Sequence, residues 1–529
     1  MKFVIYLFSF FSCIHLTGQS INALYGLDTI AYGSAQDHVN DAVFNNNQEL
    51  FVAGFLKRSP AGGGTVAEIG TLSRFDPSGN LVYSKTTSYE EINAIARTPE
   101  GNLLLTGRGT GLLCNGVCKA DFWVAEATED GQFLWGRSFG NLINDGNDIG
   151  YAGGIMSNGD RLCVGYYYHS TYNLKTFIAR LNAQGDTVWT KSYGSNSGQQ
   201  IGYCLYISPN DDIYVGGTTT TGGGLLLMKL NSNGTLAWAK TYVTPAGRIL
   251  KILEKNDTTL LLCGQSIFNN DYAVTLTNVD LNGTLLWSKD YKVENTDNEQ
   301  FFEDAFITAN DEVYLTGYYY DEVNYVTPGN KPFFMKTDAS GNVLWSKRYT
   351  DYYGEGRVII EHPNGGILWG GIHMQNAFTP YWPKQPEIWW AHMNNSGSNP
   401  CFTSCNMLQT NTVTSVSNKF FTRFSGYVTD NPTPSATNFL TLKTPKCNGP
   451  LNLEESESFE FKILPNPNSG KFQLQLSWPY NAVIRLFNAL GELQSFTYEP
   501  NISYDLDLLP GIYFLQILGT DHIEKFIVH

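Results

Sequence analysis

The residue types that could do chemistry in this chain recur along it without converging. An Asp-x-x-Gly-x-x-x-Trp frame appears at Asp280 to Trp287 and again at Asp338 to Trp345. An acidic turn of this kind could hold calcium, yet the further oxygen ligands and the late bidentate Glu of an EF-hand loop are missing. A turn capped by its own Asp side chain is the simpler reading. Glycosidic cleavage needs two carboxylates at a defined separation or a special nucleophile. The acidic residues fall mostly in turns, so no such pair stands out. His38, His169 and His373 are too far apart in sequence to give a metal-ligand spacing. No metal, cofactor or catalytic set is predicted, and the chain is expected not to be an enzyme.

Aromatic side chains are the other candidates. Tyr166-Tyr167-Tyr168 and Tyr318-Tyr319-Tyr320 stand at equivalent places in two repeats, and Tyr381-Trp382 precedes Trp389-Trp390. Loop aromatics stack on sugars or anchor protein partners, which makes Tyr167, Tyr319, Tyr381 and Trp382 weak ligand-binding candidates. The competing reading is that alternate tyrosines of each triplet continue a strand into the core. Among the cysteines, Cys114 with Cys118 and Cys401 with Cys405 are disulfide candidates in an exported protein, with Cys405 to Cys447 as an alternative. Cys163, Cys204 and Cys263 fall in strand-like runs and read as buried small hydrophobes.

The elements that position these residues come from a repeat. Turn glycines at 79, 131, 185, 234, 283, 341 and 397 are 49 to 58 residues apart, and most are followed four residues later by Trp or Tyr. Each repeat also holds an apolar strand ending in glycine, at Gly54, Gly107, Gly165, Gly216, Gly264, Gly317 and Gly370. This period suits a four-stranded propeller blade, and seven copies predict an all-β, seven-bladed β-propeller over 19–404. The seventh repeat lacks its fourth strand. Residues 28–34 look like that strand, so they are expected to close the ring. The turn glycine is expected to supply a positive φ, the Trp to pack between blades, and Lys191, Lys240, Lys289 and Lys347 to lie on the solvated outer edge. The Gly-Trp frame resembles the tryptophan-docking repeats of quinoprotein propellers. Its acidic residue stands one position closer, and the adjacent cysteines of a working quinoprotein are absent.

Residues 405–460 lose the period and read as a connector, partly ordered and ending in a short acidic linker. From 461 onward short alternating strands return in a β-sandwich pattern. There Pro465, Asn466 and Pro467, then Gly470, Gly491, Gly511, Tyr513 and Lys525, form an ordered series. It resembles the type A C-terminal sorting domain of type IX secretion substrates of Bacteroidetes. That resemblance implies a sorting signal in 461–529, partners in an outer-membrane translocon and a surface sortase, and an extracellular or cell-surface destination. Residues 1–18 agree with it: Lys2, an apolar run and small residues read as a secretory signal peptide. No stretch has the length of a membrane-spanning helix. A net charge of −15 excludes a nucleic-acid groove. The chain as a whole reads as a binding or adhesion module for a glycan or protein. A polysaccharide-cleaving enzyme and a passive surface-layer component are the alternatives.

Overall fold

The computed structural model describes residues 22–27; 34–397 apart from 60–66, 88–89, 111–119, 141–145, 171–172, 196–197, 221–222, 245, 269–270, 294–298, 322–328, 349–352 and 375–386; seven short strands between 403 and 445; and the strands of 461–528. The chain divides into two units, Met1–Cys447 and Asn448–His529.

The first unit is a seven-bladed propeller. Its first blade comprises Ser34–Phe44, Leu50–Ser59, Ala67–Phe75 and Leu81–Thr87, all antiparallel. Five blades follow, with innermost strands at Glu91–Arg97, Ile149–Ile155, Gln200–Ile207, Gly247–Lys255 and Gln300–Ile307. The seventh takes Tyr353–Glu361, Ile367–Met374 and Glu387–Met393 from the end of the ring. Its fourth strand is Asn22–Leu27, which pairs with Glu387–Met393 through Leu24 opposite Trp389. The closing strand therefore lies just ahead of the expected 28–34; of that segment only Ser34 is described, as the first residue of blade one. Strands two and three are buried on both faces, so their apolar runs fill the gaps between blades. Leu261 and Val274 of blade five, for example, pack against Phe302, Leu315 and Phe333 of blade six.

The repeated signature forms a latch between blades. In blade four the Tyr242 hydroxyl donates to the Gly283 carbonyl at 2.8 Å, and Lys240 Nζ donates to Asn282 O at 2.5 Å, both in the turn of blade five. Tyr291 and Lys289 do the same to Gly341 and Ser340 of blade six, at 2.6 and 2.7 Å. Lys240 and Lys289 also sit over the rings of Trp238 and Trp287. These lysines thus bind the neighbouring turn from the exposed edge of the blade. The turn glycine has two reasons to be glycine. Gly283 has φ +72, and a Cβ there would meet the Trp238 ring at 2.8 Å. Asp280 caps its own turn as expected, accepting from the backbone of Asn282 and Thr284 at 2.9 and 2.7 Å.

The segment read as a connector adds a fifth strand to every blade. Thr403–Ser404 pairs with blade six, Met407–Asn411 with blade five, Ser415–Asn418 with blade four and Thr422–Phe424 with blade three. Val428–Asp430, Ala436–Asn438 and Thr441–Pro445 continue onto blades two, one and seven. The chain thus makes a full circuit of the rim in the reverse of the blade order. It covers the fourth-strand edge of each sheet with backbone hydrogen bonds.

The second unit holds two small antiparallel sheets. One orders Phe461–Leu464, Lys471–Leu476 and Ser503–Asp505, the other Leu493–Thr497, Val483–Asn488, Gly511–Ile517 and Ile523–Val528. Among the described residues, no helix is long and apolar enough to cross a membrane.

Candidate functional site in the axial cavity

Every innermost strand carries a β-bulge at the same level. The register against strand two slips by one residue at Asn40, Asn93, Tyr151, Tyr203, Leu250, Glu303 and Arg357. An extra residue in one strand bends it and re-aims a side chain. Opposite each bulge stands a strand-two glycine: Gly54, Gly107, Gly165, Gly217, Gly264, Gly317 and Gly371. A Cβ on any of them would fall 1.8–2.0 Å from a carbonyl oxygen of the bulged strand. These glycines are the second anchor of the repeat, and close approach of two backbones is their reason. In blades four and seven the second glycine of a Gly-Gly pair is the one used, one residue beyond Gly216 and Gly370.

The seven bulged residues line an axial cavity of about 670 Å³. Its lower part is held by acidic side chains just after two bulges. Asp41 accepts from the backbone of Ala42 and of Ile95 in blade two, at 2.9 and 3.0 Å. Asp304 does the same to Ala305 and to Ile359 of blade seven, at 2.8 and 3.0 Å, and also takes Lys251 Nζ at 2.8 Å. Burial, opposed by Lys251 and reinforced by Asp304, pushes Asp41 up to about 6. Burial alone would lower Lys251, but Asp304 and Asp41 outweigh it and hold the ammonium charged well above its usual range.

Nearer the end where strand one begins and strand two finishes, aromatic and charged groups divide the wall. Tyr151 packs against Tyr166 and Tyr203, with ring centres 5.9 and 5.0 Å apart. Tyr318 stacks on Phe301 at 4.9 Å, and the Arg357 guanidinium sits over its ring. Burial raises the Tyr151 and Tyr203 hydroxyls above their usual range and Tyr166 to about 12, so they stay protonated. Arg357 joins two carboxylates, binding Glu303 at 2.9 Å and Glu355 through its other terminal nitrogen. Asn330 Nδ2 donates to Glu355 at 2.6 Å. Burial raises Glu303 against the opposing pull of Arg357. On the far side Arg108 pairs with Glu91 at 2.8 Å and with Glu68. Glu303 lines the cavity with Glu355 behind it, and a carboxyl held above its usual range beside a second carboxylate is what general acid–base chemistry uses.

The candidates from the sequence lie elsewhere. Tyr167 is packed beside Phe177 in the core, and Tyr319 lies in the core of blades five and six at 2% exposure. Side chains alternate along a strand, so Tyr318, one residue earlier, lines the cavity, and Tyr166 packs against the lining residue Tyr151. Tyr381 and Trp382 lie outside the described residues, as do Pro465, Asn466, Pro467, Gly470 and Gly491. Gly511, Tyr513 and Lys525 lie in the paired last two strands, with Phe514 opposite Lys525. No disulfide occurs among the described residues, and this corrects the expectation of a bridged protein. Cys163, Cys204 and Cys263 are free and buried, while Cys114, Cys118, Cys401, Cys405 and Cys447 fall outside the described residues. His38 stacks on Phe55 at 4.3 Å, and its Nε2 has no hydrogen-bond partner among the described residues. The side chains of His169 and His373 are not among those described. No group of metal-ligating side chains is found among the described residues. Sequence reasoning missed Glu303, Glu355 and Arg357, because nothing in the chain marks a bulge except the glycine across from it.

No family model and no curated protein matches the chain. Solved structures similar in fold include the polysaccharide lyase Uly1, at 11% identity and a TM-score of 0.39, covering 72% of this chain and 94% of that one. A BT0996 complex with RGII, at 10% identity and 0.29, covers 72% and 93%. A glycoside hydrolase, at 11% and 0.26, covers 72% and 94%. Two of these proteins are named as enzymes, against the expectation that the present chain is not one.

Proposed function

We propose that this chain is a carbohydrate-active propeller that takes a sugar chain into its axial cavity and hydrolyses it. The observation that carries this reading is Arg357 holding Glu303 and Glu355 together beside tyrosine rings. Aromatic faces stack on sugar rings and tyrosine hydroxyls donate to sugar oxygens. Glu303, with its proton held more firmly than usual, donates it to the leaving glycosidic oxygen. Glu355, oriented by Asn330 and Arg357, is the second carboxylate that hydrolysis requires.

The N-terminal apolar run and the motif series from Pro465 to Lys525 support Sec export, recognition by a type IX translocon and processing by a surface sortase. On that reading the propeller works outside the cell. The test incubates the purified full chain with neutral and acidic polysaccharides and records both retention and soluble products. New reducing ends without a new double bond support hydrolysis. Retention with no product would leave the cavity a binding site and overturn the cleavage step.

A further inference from the structure

The cations that meet the cavity are not equivalent. Lys251 is paired with Asp304, and Arg357 with Glu303 and Glu355, while Arg108, behind the lining residue Glu91, is paired with it and with Glu68. Arg248, in blade five two residues before the bulge at Leu250, also lines the cavity and makes no ion pair among the described residues. It is nevertheless held in place. With its amide oxygen turned toward the guanidinium, the buried Gln265 accepts from Arg248 Nε and Nη2 at 3.3 and 3.1 Å. The guanidinium also donates to the Tyr203 hydroxyl and lies 5.9 Å from the centre of its ring. Its hydrogen-bond partners are neutral and Glu303 acts on it only at longer range, so its remaining N–H groups form a fork suited to an anion.

We propose that Arg248 is an anion-recognition residue, and that the sugar chain entering the cavity bears a carboxylate or a sulfate ester. This rests on the glycan reading above and narrows it to acidic polysaccharides. Arg248 takes the substituent while the neighbouring tyrosines take the ring, on the same wall as Glu303. Ordinary architectural use of a cavity arginine would give it a carboxylate partner, as Arg357 has in blade seven.

The experiment is affinity electrophoresis of the full chain in gels containing polygalacturonate, a sulfated galactan or a neutral galactan, at low and high salt. The wild-type protein is expected to be retarded by one or both anionic polymers at least roughly ten-fold more strongly than by the neutral one, the scale of a charged hydrogen-bonded contact. Arg248→Gln should remove that preference and Arg248→Lys should restore part of it. Retardation by polygalacturonate alone assigns a carboxylate, and by the sulfated polymer alone a sulfate. Equal retardation by all three polymers, or an anionic preference unchanged in Arg248→Gln, overturns the inference and leaves the glycan reading standing. No retardation by any polymer overturns both. Should Arg248→Gln melt earlier than wild type, Tyr203→Phe, which loosens the guanidinium and keeps the ring, should weaken the same preference.

Discussion

The rim and the axis of this propeller use one backbone plan in opposite ways. At the rim the same side chains recur: a lysine and a tyrosine of one blade cap the turn carbonyls of the next, and a tryptophan covers its glycine. At the axis it is the backbone that recurs. Seven bulges stand at one level, yet they present Asn, Asn, Tyr, Tyr, Leu, Glu and Arg. Repetition of side chains marks what each blade needs in order to join its neighbour. Divergence of side chains on a repeated backbone marks where an asymmetric ligand can be met.

Four experiments sharpen or break this contrast. Gly317→Val should be the most damaging, because the new Cβ would fall 1.9 Å from the Phe301 carbonyl oxygen. A loss of about 4 kcal/mol or more, or failure to fold, is expected in denaturant unfolding; a stable variant would remove the physical reason given for the axial glycines. Glu303→Gln keeps the shape and removes the proton, so product release should fall at least roughly 100-fold with little change in melting. Unchanged turnover would clear Glu303 of the acid role. Tyr291→Phe deletes one rim hydrogen bond of many and should cost about 1 kcal/mol without altering ligand retention. The smallest effect at neutral pH belongs to His38. Burial, with Arg357 and Lys57, lowers it to about 3, so between its ordinary value of 6.5 and 3 the unfolded chain binds the extra proton and folding loses stability as pH falls. Asp41, raised from 3.8 to about 6, works in the opposite sense between those two values. His38→Gln should therefore gain stability relative to wild type as pH drops from about 6.5 to 4; parallel curves would sink this account.

The blade count was legible because the rim signature pairs a positive-φ turn with a large aromatic at fixed spacing, and both leave letters in the sequence. The bulges leave only the glycine opposite, and nothing says which residue is the extra one. Tyr167 and Tyr319 were one residue off the cavity for a related reason: the triplets contain no polar residue to fix which face is inward. The strands between 403 and 445 are legible only in part, as strand-like runs at 419–428 and 438–443, because they are two to five residues long. Segments this short are specified by main-chain pairing and show no alternation to read.

That rim segment has a mechanical consequence. Its last strand, Thr441–Pro445, lies beside Asn22–Leu27, the strand that locks blade seven. Tension applied from beyond residue 445 would therefore be felt first at the lock, and then blade by blade as each short strand lets go in turn. A hoop that unzips in small steps yields at low force from that end. Loaded from within, by swelling of the ring, its strands would have to shear together.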